Sequence, residues 1–220
     1  MLKKRTIILG AYDTAAHGWT LTGCKLSDPE QKTNYIEKNG GDGSWDLSTA
    51  LTEGIPRYRD RSLTATLECS EGTRADREKL ISKMVNQLDG LVWSVVLPDY
   101  PDHYLTARLH VAENYNDQAH AAVTVTGTCE PWLYRAEETI ITLKATATEQ
   151  TAVITNNGRR ATVPTLSVTG SVLLVYGTAS LNMSDGAYEW PELLLTPGDH
   201  PLKYSGDGEL AFTYREAVLK

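Results

Sequence analysis

Three stretches of this chain alternate apolar and polar residues with a period of two, and that alternation constrains the fold more than any other feature. Leu63, Ala65, Leu67 and Cys69 alternate with Ser62, Thr64, Thr66 and Glu68. Leu105, Ala107, Leu109 and Val111 alternate with Thr106, Arg108 and His110. Val123, Val125, Gly127 and Cys129 alternate with Thr124, Thr126 and Thr128. Side chains on a strand point alternately to its two faces, so each run is a strand with one buried and one wetted face. Threonine suits the wetted face because its branched Cβ fits a pleated surface. Leu181 and Met183 begin a weaker fourth run. The expected class is mainly β.

One segment breaks the pattern. Within Thr73 to Asp89, Leu80, Met84 and Leu88 fall four apart, with Ile81 and Val85 on the adjacent row. That stripe has the helical period. Thr73 and Asp76 have capping-box spacing, with aspartate in place of Glu or Gln, and Gly90 suits a left-handed helix end. A helix over 73–89 is predicted to lie on the neighbouring sheet.

Between residues 29 and 60 neither period holds. Asn39-Gly40-Gly41-Asp42-Gly43-Ser44-Trp45-Asp46 is rich in turn formers. A long insertion without its own core is usually functional or disordered. Trp45 argues against disorder, because an indole is costly to leave in water. The segment reads as a projecting arm or hairpin that finds its packing on a neighbour. A second boundary falls near 135–155, where Lys144-Ala-Thr-Ala-Thr-Glu-Gln-Thr is small and polar and Asn156-Asn157-Gly158 is a turn. Beyond it, Asp185-Gly186, Pro197-Gly198-Asp199 and Gly206-Asp207-Gly208 punctuate short strands of a compact antiparallel sheet or sandwich.

Bulk properties exclude several classes. The longest apolar stretch, Leu91 to Leu97, is interrupted by Ser94 and is far below the roughly 20 residues a membrane helix needs. The apolar run Ile7 to Leu9 is too short for a signal peptide, so a cytoplasmic site of synthesis is expected. The net charge is −7, and the longest basic cluster is Lys3-Lys4-Arg5. Stable nucleic-acid binding is therefore not expected. The three cysteines, Cys24, Cys69 and Cys129, have no CxxC spacing; Cys69 and Cys129 sit at apolar phases and read as small buried hydrophobes.

No constellation for catalysis emerges. Gly40-Gly41-Asp42-Gly43-Ser44 lacks the GK[ST] ending of a phosphate loop, and neither G-x-S-x-G nor H-E-x-x-H occurs. Asp99-Tyr100-Pro101-Asp102-His103 offers two carboxylates and an imidazole to a metal, but with Pro98 beside it reads more simply as a turn. Tyr188, Trp190 and Tyr204 could stack on a sugar; a small domain short of aliphatics needs them inside instead. No catalytic, cofactor or metal site is expected. A small glycosidase is the enzymatic rival. It would need two carboxylates across a cleft, a pairing that sequence does not reveal.

Taken in order, these elements resemble siphovirus distal tail proteins. Gly40 to Leu47 followed by Tyr58-Arg59-Asp60-Arg61-Ser62-Leu63 resembles the family's G-x-D-x-S stretch and Y-x-x-R strand start. Pro98 to Leu105 resembles its DDxPxxYY turn, with Pro98 and Leu105 departing from the ends of the pattern. Cys129-Glu130-Pro131-Trp132-Leu133-Tyr134 resembles its CxPxxY element. Asn157-Gly158 through Pro164, Leu195 to Gly198 and Ala211 to Glu216 look like the small galectin-like second domain of some members.

The resemblance implies an N-terminal ring-forming β-sandwich over residues 1–140 with one helix and a β-hairpin arm, or belt, and a galectin-like β-sandwich over 150–220. It implies a homo-hexameric ring at the tip of the virion tail, assembled in the bacterial host cytoplasm. The ring would join the tail tube protein to the baseplate hub or fibre proteins and leave a channel for DNA. Tyr35, Trp45, Leu47 and Tyr58 would be the inter-subunit residues of the arm. A carbohydrate-binding module of a phage adsorption device is the alternative.

Overall fold

The computed structural model describes residues 6–52 and 54–220; the basic cluster Lys3-Lys4-Arg5 lies outside the described residues. The chain is mainly β, as expected, with one α-helix among the described residues. It divides into two compact units at Pro131/Trp132, earlier than the anticipated boundary. The small polar run after Lys144 lies within the second unit, where it joins two strands that both pair with the same long strand.

The first unit contains β1 (Ile8–Leu9), β2 (Tyr12–Asp13), β3 (Thr20–Leu26), β4 (Tyr35–Glu37), β5 (Ser44–Asp46) and β6 (Arg61–Cys69). After these come α1 (Arg74–Leu88), β7 (Val92–Val96), β8 (His103–Asn116) and β9 (Ala121–Cys129). Seven of the strands form an antiparallel sheet in the order β2-β1-β7-β8-β9-β6-β3. The three alternating runs are β6, β8 and β9. Their apolar positions are buried, and Cys69 and Cys129 lie inside with them. Burial pushes the Cys129 thiol up to about 11, so it stays protonated. Asp99 to Asp102 is the turn between β7 and β8.

The helix begins where its cap predicts. Asp76 N donates to Thr73 Oγ1 at 3.2 Å and Thr73 N donates to Asp76 Oδ2 at 3.2 Å, closing the capping box. Removing the hydroxyl with Thr73→Ala costs about 1 kcal/mol and lowers the thermal midpoint; a midpoint that does not move would show the cap to be idle. The hydrogen bonds from the Thr73 side chain and backbone hold the Asp76 carboxyl below the usual range. The box therefore contributes above the ordinary carboxylate pKa and is lost as pH falls through the depressed one.

The buried stripe runs Arg77, Ile81, Met84 and Leu88, one turn earlier than the apolar pattern shows, and Leu80 is only half-buried. Arg77 is 1% exposed. Its guanidinium donates to Gly72 O and Asp117 O, each at 2.7 Å, which satisfies the charge among carbonyls. Gly90 is left-handed as expected, but its N–H leaves the helix for Leu109 O, tying the helix exit to β8.

The second unit comprises β10 (Leu133–Arg135), β11 (Thr139–Ala145), β12 (Gln150–Asn156), β13 (Thr165–Tyr176) and β14 (Ala179–Met183). It ends with β15 (Gly186–Glu189), β16 (Gly198–Tyr214) and β17 (Ala217–Val218). β10 pairs with β17, and the other six form one antiparallel sheet around two long strands. β16 pairs with β12 through Tyr204 and with β11 from Gly208 onward. β13 pairs with β15 through Val168 and with β14 from Val172 onward. Both strands change partners where Gly170 faces Gly208 and Val172 faces Gly206.

Gly206-Asp207-Gly208, read from sequence as a turn, is thus the middle of a seventeen-residue strand. A Cβ at Gly170, Gly206 or Gly208 would stand 2.1 to 2.2 Å from a backbone oxygen of the facing strand. The glycines let the two backbones cross closely enough for the sheet to fold over its own core. That core holds Leu166, Val172, Leu174, Leu193, Leu195, Leu210 and Phe212. Trp190 and Tyr204 are buried in it and Tyr188 packs against it, the arrangement expected for aromatics that serve as core.

Candidate functional site

The arm is the feature of the first unit that its core does not explain. It grows from the β3–β6 ladder without changing register. Cys24 faces Ala65 and Leu26 faces Leu63; beyond them Ser27 N donates to Ser62 O, Gln31 bridges Tyr58, and Lys32 N donates to Arg57 O. Two anchors hold this stem. Arg61 is buried at its root, where Nε donates to Ser27 O at 2.7 Å and Nη1 to Pro131 O at 3.4 Å. Arg59 pairs with Glu30 at 3.0 Å in the open, a contact worth little by itself. Tyr58 is half-buried in the stem. It therefore belongs to the arm's attachment, apart from its apolar end.

Past the stem the chain forms a separate hairpin, in which β4 and β5 pair only with each other among the described residues. Tyr35 faces Asp46, Ile36 faces Trp45 and Glu37 faces Ser44. Leu47 N donates to Asn34 O at 2.8 Å and extends the ladder by one pair. Strand alternation then sets Ile36, Trp45 and Leu47 on one face, with Lys38 Nζ 4.9 Å from the centroid of the Trp45 ring. Tyr35 lies on the opposite face, where it contributes to holding the Asp46 carboxyl below the usual range, after the larger hydrogen bonds from Ser48. Sequence reasoning grouped Tyr35 with Trp45 and missed Ile36, because only the register reveals which residue stands across from the indole.

Every residue of β4 and β5 is exposed, including Trp45 at 61%. Leu51, in the turn that follows, is 99% exposed. Among the described residues, five of the twelve exposed large hydrophobics lie between positions 35 and 51. Single exposed apolar residues need no explanation, but a concentration of this kind marks an interaction surface. The hairpin thus presents apolar side chains on a strand pair that joins no other sheet among the described residues. Among the described residues, no group of three or more His, Cys, Asp or Glu is placed to hold a metal ion.

No family model matches the chain, and no curated protein matches it. Among solved structures, it is similar to the SPP1 Dit (gp 19.1) protein, described as a paradigm of the hub adsorption apparatus in phages infecting Gram-positive bacteria. The TM-score is 0.69 at 16% identity, covering 97% of this chain and 99% of that chain. At this identity the likeness is one of fold.

Proposed function

We propose that this chain is a structural component of a phage tail tip that assembles into a ring, with the arm of each subunit packed on its neighbour. The observation that carries the reading is the arm itself, a built hairpin on which Tyr35, Ile36, Trp45 and Leu47 stand exposed. The full-length fold likeness to a hub adsorption protein supports the setting. On this reading the ring is a homo-hexamer at the distal end of the virion tail. It joins the tail tube to the adsorption apparatus and leaves a channel for DNA. The chain has no catalytic role, and assembly takes place in the host cytoplasm. With a net charge of −7, passing DNA slides past a surface that does not retain it. The second unit, galectin-like on this reading, serves as a structural or docking module: its Trp190 and Phe212 are committed to the core and are not open to sugar.

Light scattering on the purified chain tests the ring. Six chains of 24.2 kDa give about 145 kDa, with dissociation on dilution by mass action. A chain that stays monomeric at high concentration and low salt would overturn the proposal.

A further inference from the structure

Asn-Gly occurs twice in this chain, at Asn39-Gly40 and Asn157-Gly158. The pair is chemically distinct from other asparagine sites. The backbone nitrogen of the following residue can attack the asparagine side-chain amide, and glycine, having no side chain, obstructs that approach least. A bond forms from the glycine N to the asparagine Cγ as the Cγ–Nδ2 bond breaks. The glycine amide proton leaves with Nδ2 as ammonia, and a succinimide ring remains. Water then opens the ring at either carbonyl, giving aspartate or isoaspartate. Two conditions govern the step in a folded chain: the attacking N–H must be free, and the backbone must have room to bring it onto the side chain.

The structure divides the two sites. Asn157 donates to Glu216 Oε1 from its backbone N at 3.2 Å and from Nδ2 at 2.9 Å. Gly158 is buried, and its N donates to Asn156 Oδ1 at 2.9 Å. A Cβ there would stand 2.8 Å from Ala217 N and 2.9 Å from Ala217 O, so the backbone has no room to turn. Attack at this site requires local opening of the second unit. Asn39 and Gly40 are both exposed at the tip of the arm hairpin. Lys38 N donates to Gly43 O at 3.2 Å and Gly41 N to Lys38 O at 3.3 Å, closing the turn around them. Among the described residues, neither the Asn39 side chain nor the Gly40 N–H has a hydrogen-bond partner. A Cβ at Gly40 or Gly43 would meet nothing within 4 Å.

We infer that Asn39 is a site of spontaneous deamidation in the folded chain and that Asn157 is not. The product adds one negative charge to the arm tip of a chain already at −7. It stands next to Lys38, whose Nζ is 4.9 Å from the centroid of the Trp45 ring, and the new carboxylate competes with the indole for that cation. The isoaspartate form also inserts a methylene into the main chain between Lys38 O and Gly41 N, the pair that closes the turn. The modification therefore acts on the end of the arm that carries Trp45, and the inference is independent of the ring reading.

The test incubates the dilute full-length chain in mildly alkaline buffer, once folded and once unfolded in urea. Fragments cut in acid, where the succinimide forms slowly, are weighed, and isoaspartate is labelled with an isoaspartyl methyltransferase. In urea both sites should convert. In the folded chain Asn39 should convert roughly tenfold faster than Asn157 or more, because the held site reacts only through local openings. Asn39→Gln should remove the more acidic species that accumulates on ion exchange while leaving the melting temperature unchanged. Comparable conversion of the two sites in the folded chain would overturn the inference. So would an Asn39 that converts in urea and not in the folded chain.

Discussion

Replacing Gly208 with alanine should destabilise the second unit by about 3 kcal/mol or more, lowering its thermal midpoint by roughly 10 °C or more. The methyl group would stand 2.1 Å from Thr169 O and 3.1 Å from the Gly170 Cα. Both are backbone atoms, so no side chain can rotate away. Relief requires β13 and β16 to separate at the point where both change partners. The residues that bury Leu166, Val172, Leu210 and Phe212 lie on either side of that point, so separation there opens the core. Gly177→Ala supplies the comparison. Gly177 has a left-handed φ of +58° but nothing within 4 Å of its Cβ position. It should show only the backbone cost, about 1–2 kcal/mol. Calorimetry on the two variants separates collision from conformation. Equal melting of Gly208→Ala and the wild type would mean that the crossing is not tight.

The second large effect falls on assembly and not on folding. Ile36→Asp combined with Trp45→Asp should leave the melting temperature within the range of ordinary surface substitutions, about ±0.5 kcal/mol. Both residues are at least half exposed and sit across from each other on a hairpin that adds nothing to the core. If that face packs on a neighbour, losing a tryptophan anchor costs about 2–4 kcal/mol at each contact. A closed ring repeats the contact at every interface, so the loss compounds. Light scattering should then find monomers where the wild type assembles. Tyr35→Ala, on the other face, should weaken assembly far less. An unchanged ring for the double variant would assign the arm's apolar face some other partner.

The division between what was legible in the sequence and what was not follows burial. β6, β8 and β9 could be read because each buries one face, and one-sided burial writes a period of two into the chain. The helix start could be read because its cap is a local chemical arrangement of Thr73 and Asp76. The hairpin register could not: with both faces wet, nothing in the composition distinguishes Tyr35 from Ile36 as the partner of Trp45. Arg77 was invisible in an apolar stripe, since its burial depends on carbonyls of Gly72 and Asp117 that only the tertiary fold delivers. Gly206-Asp207-Gly208 has the composition of a turn, and the same lack of side chains that suits a turn also suits two backbones crossing. The unit boundary was misplaced for a related reason. The small threonines after Lys144 resemble a tether, whereas they join β11 to β12, which pair in succession with the two halves of β16.

The stem of the arm has a mechanical meaning. Both of its strands continue into the sheet at one end and in one register, so a pull on the arm is delivered along the axes of β3 and β6 together. β6 is not an edge: it faces β9 through nine residue pairs from Arg61 to Cys69. Load applied in that direction shears the whole ladder at once, with no single bond at the end bearing it alone. Arg61, buried at the root and bonded to Ser27 O and Pro131 O, pins the point where traction enters. A joint built this way resists tension far better than it resists peeling.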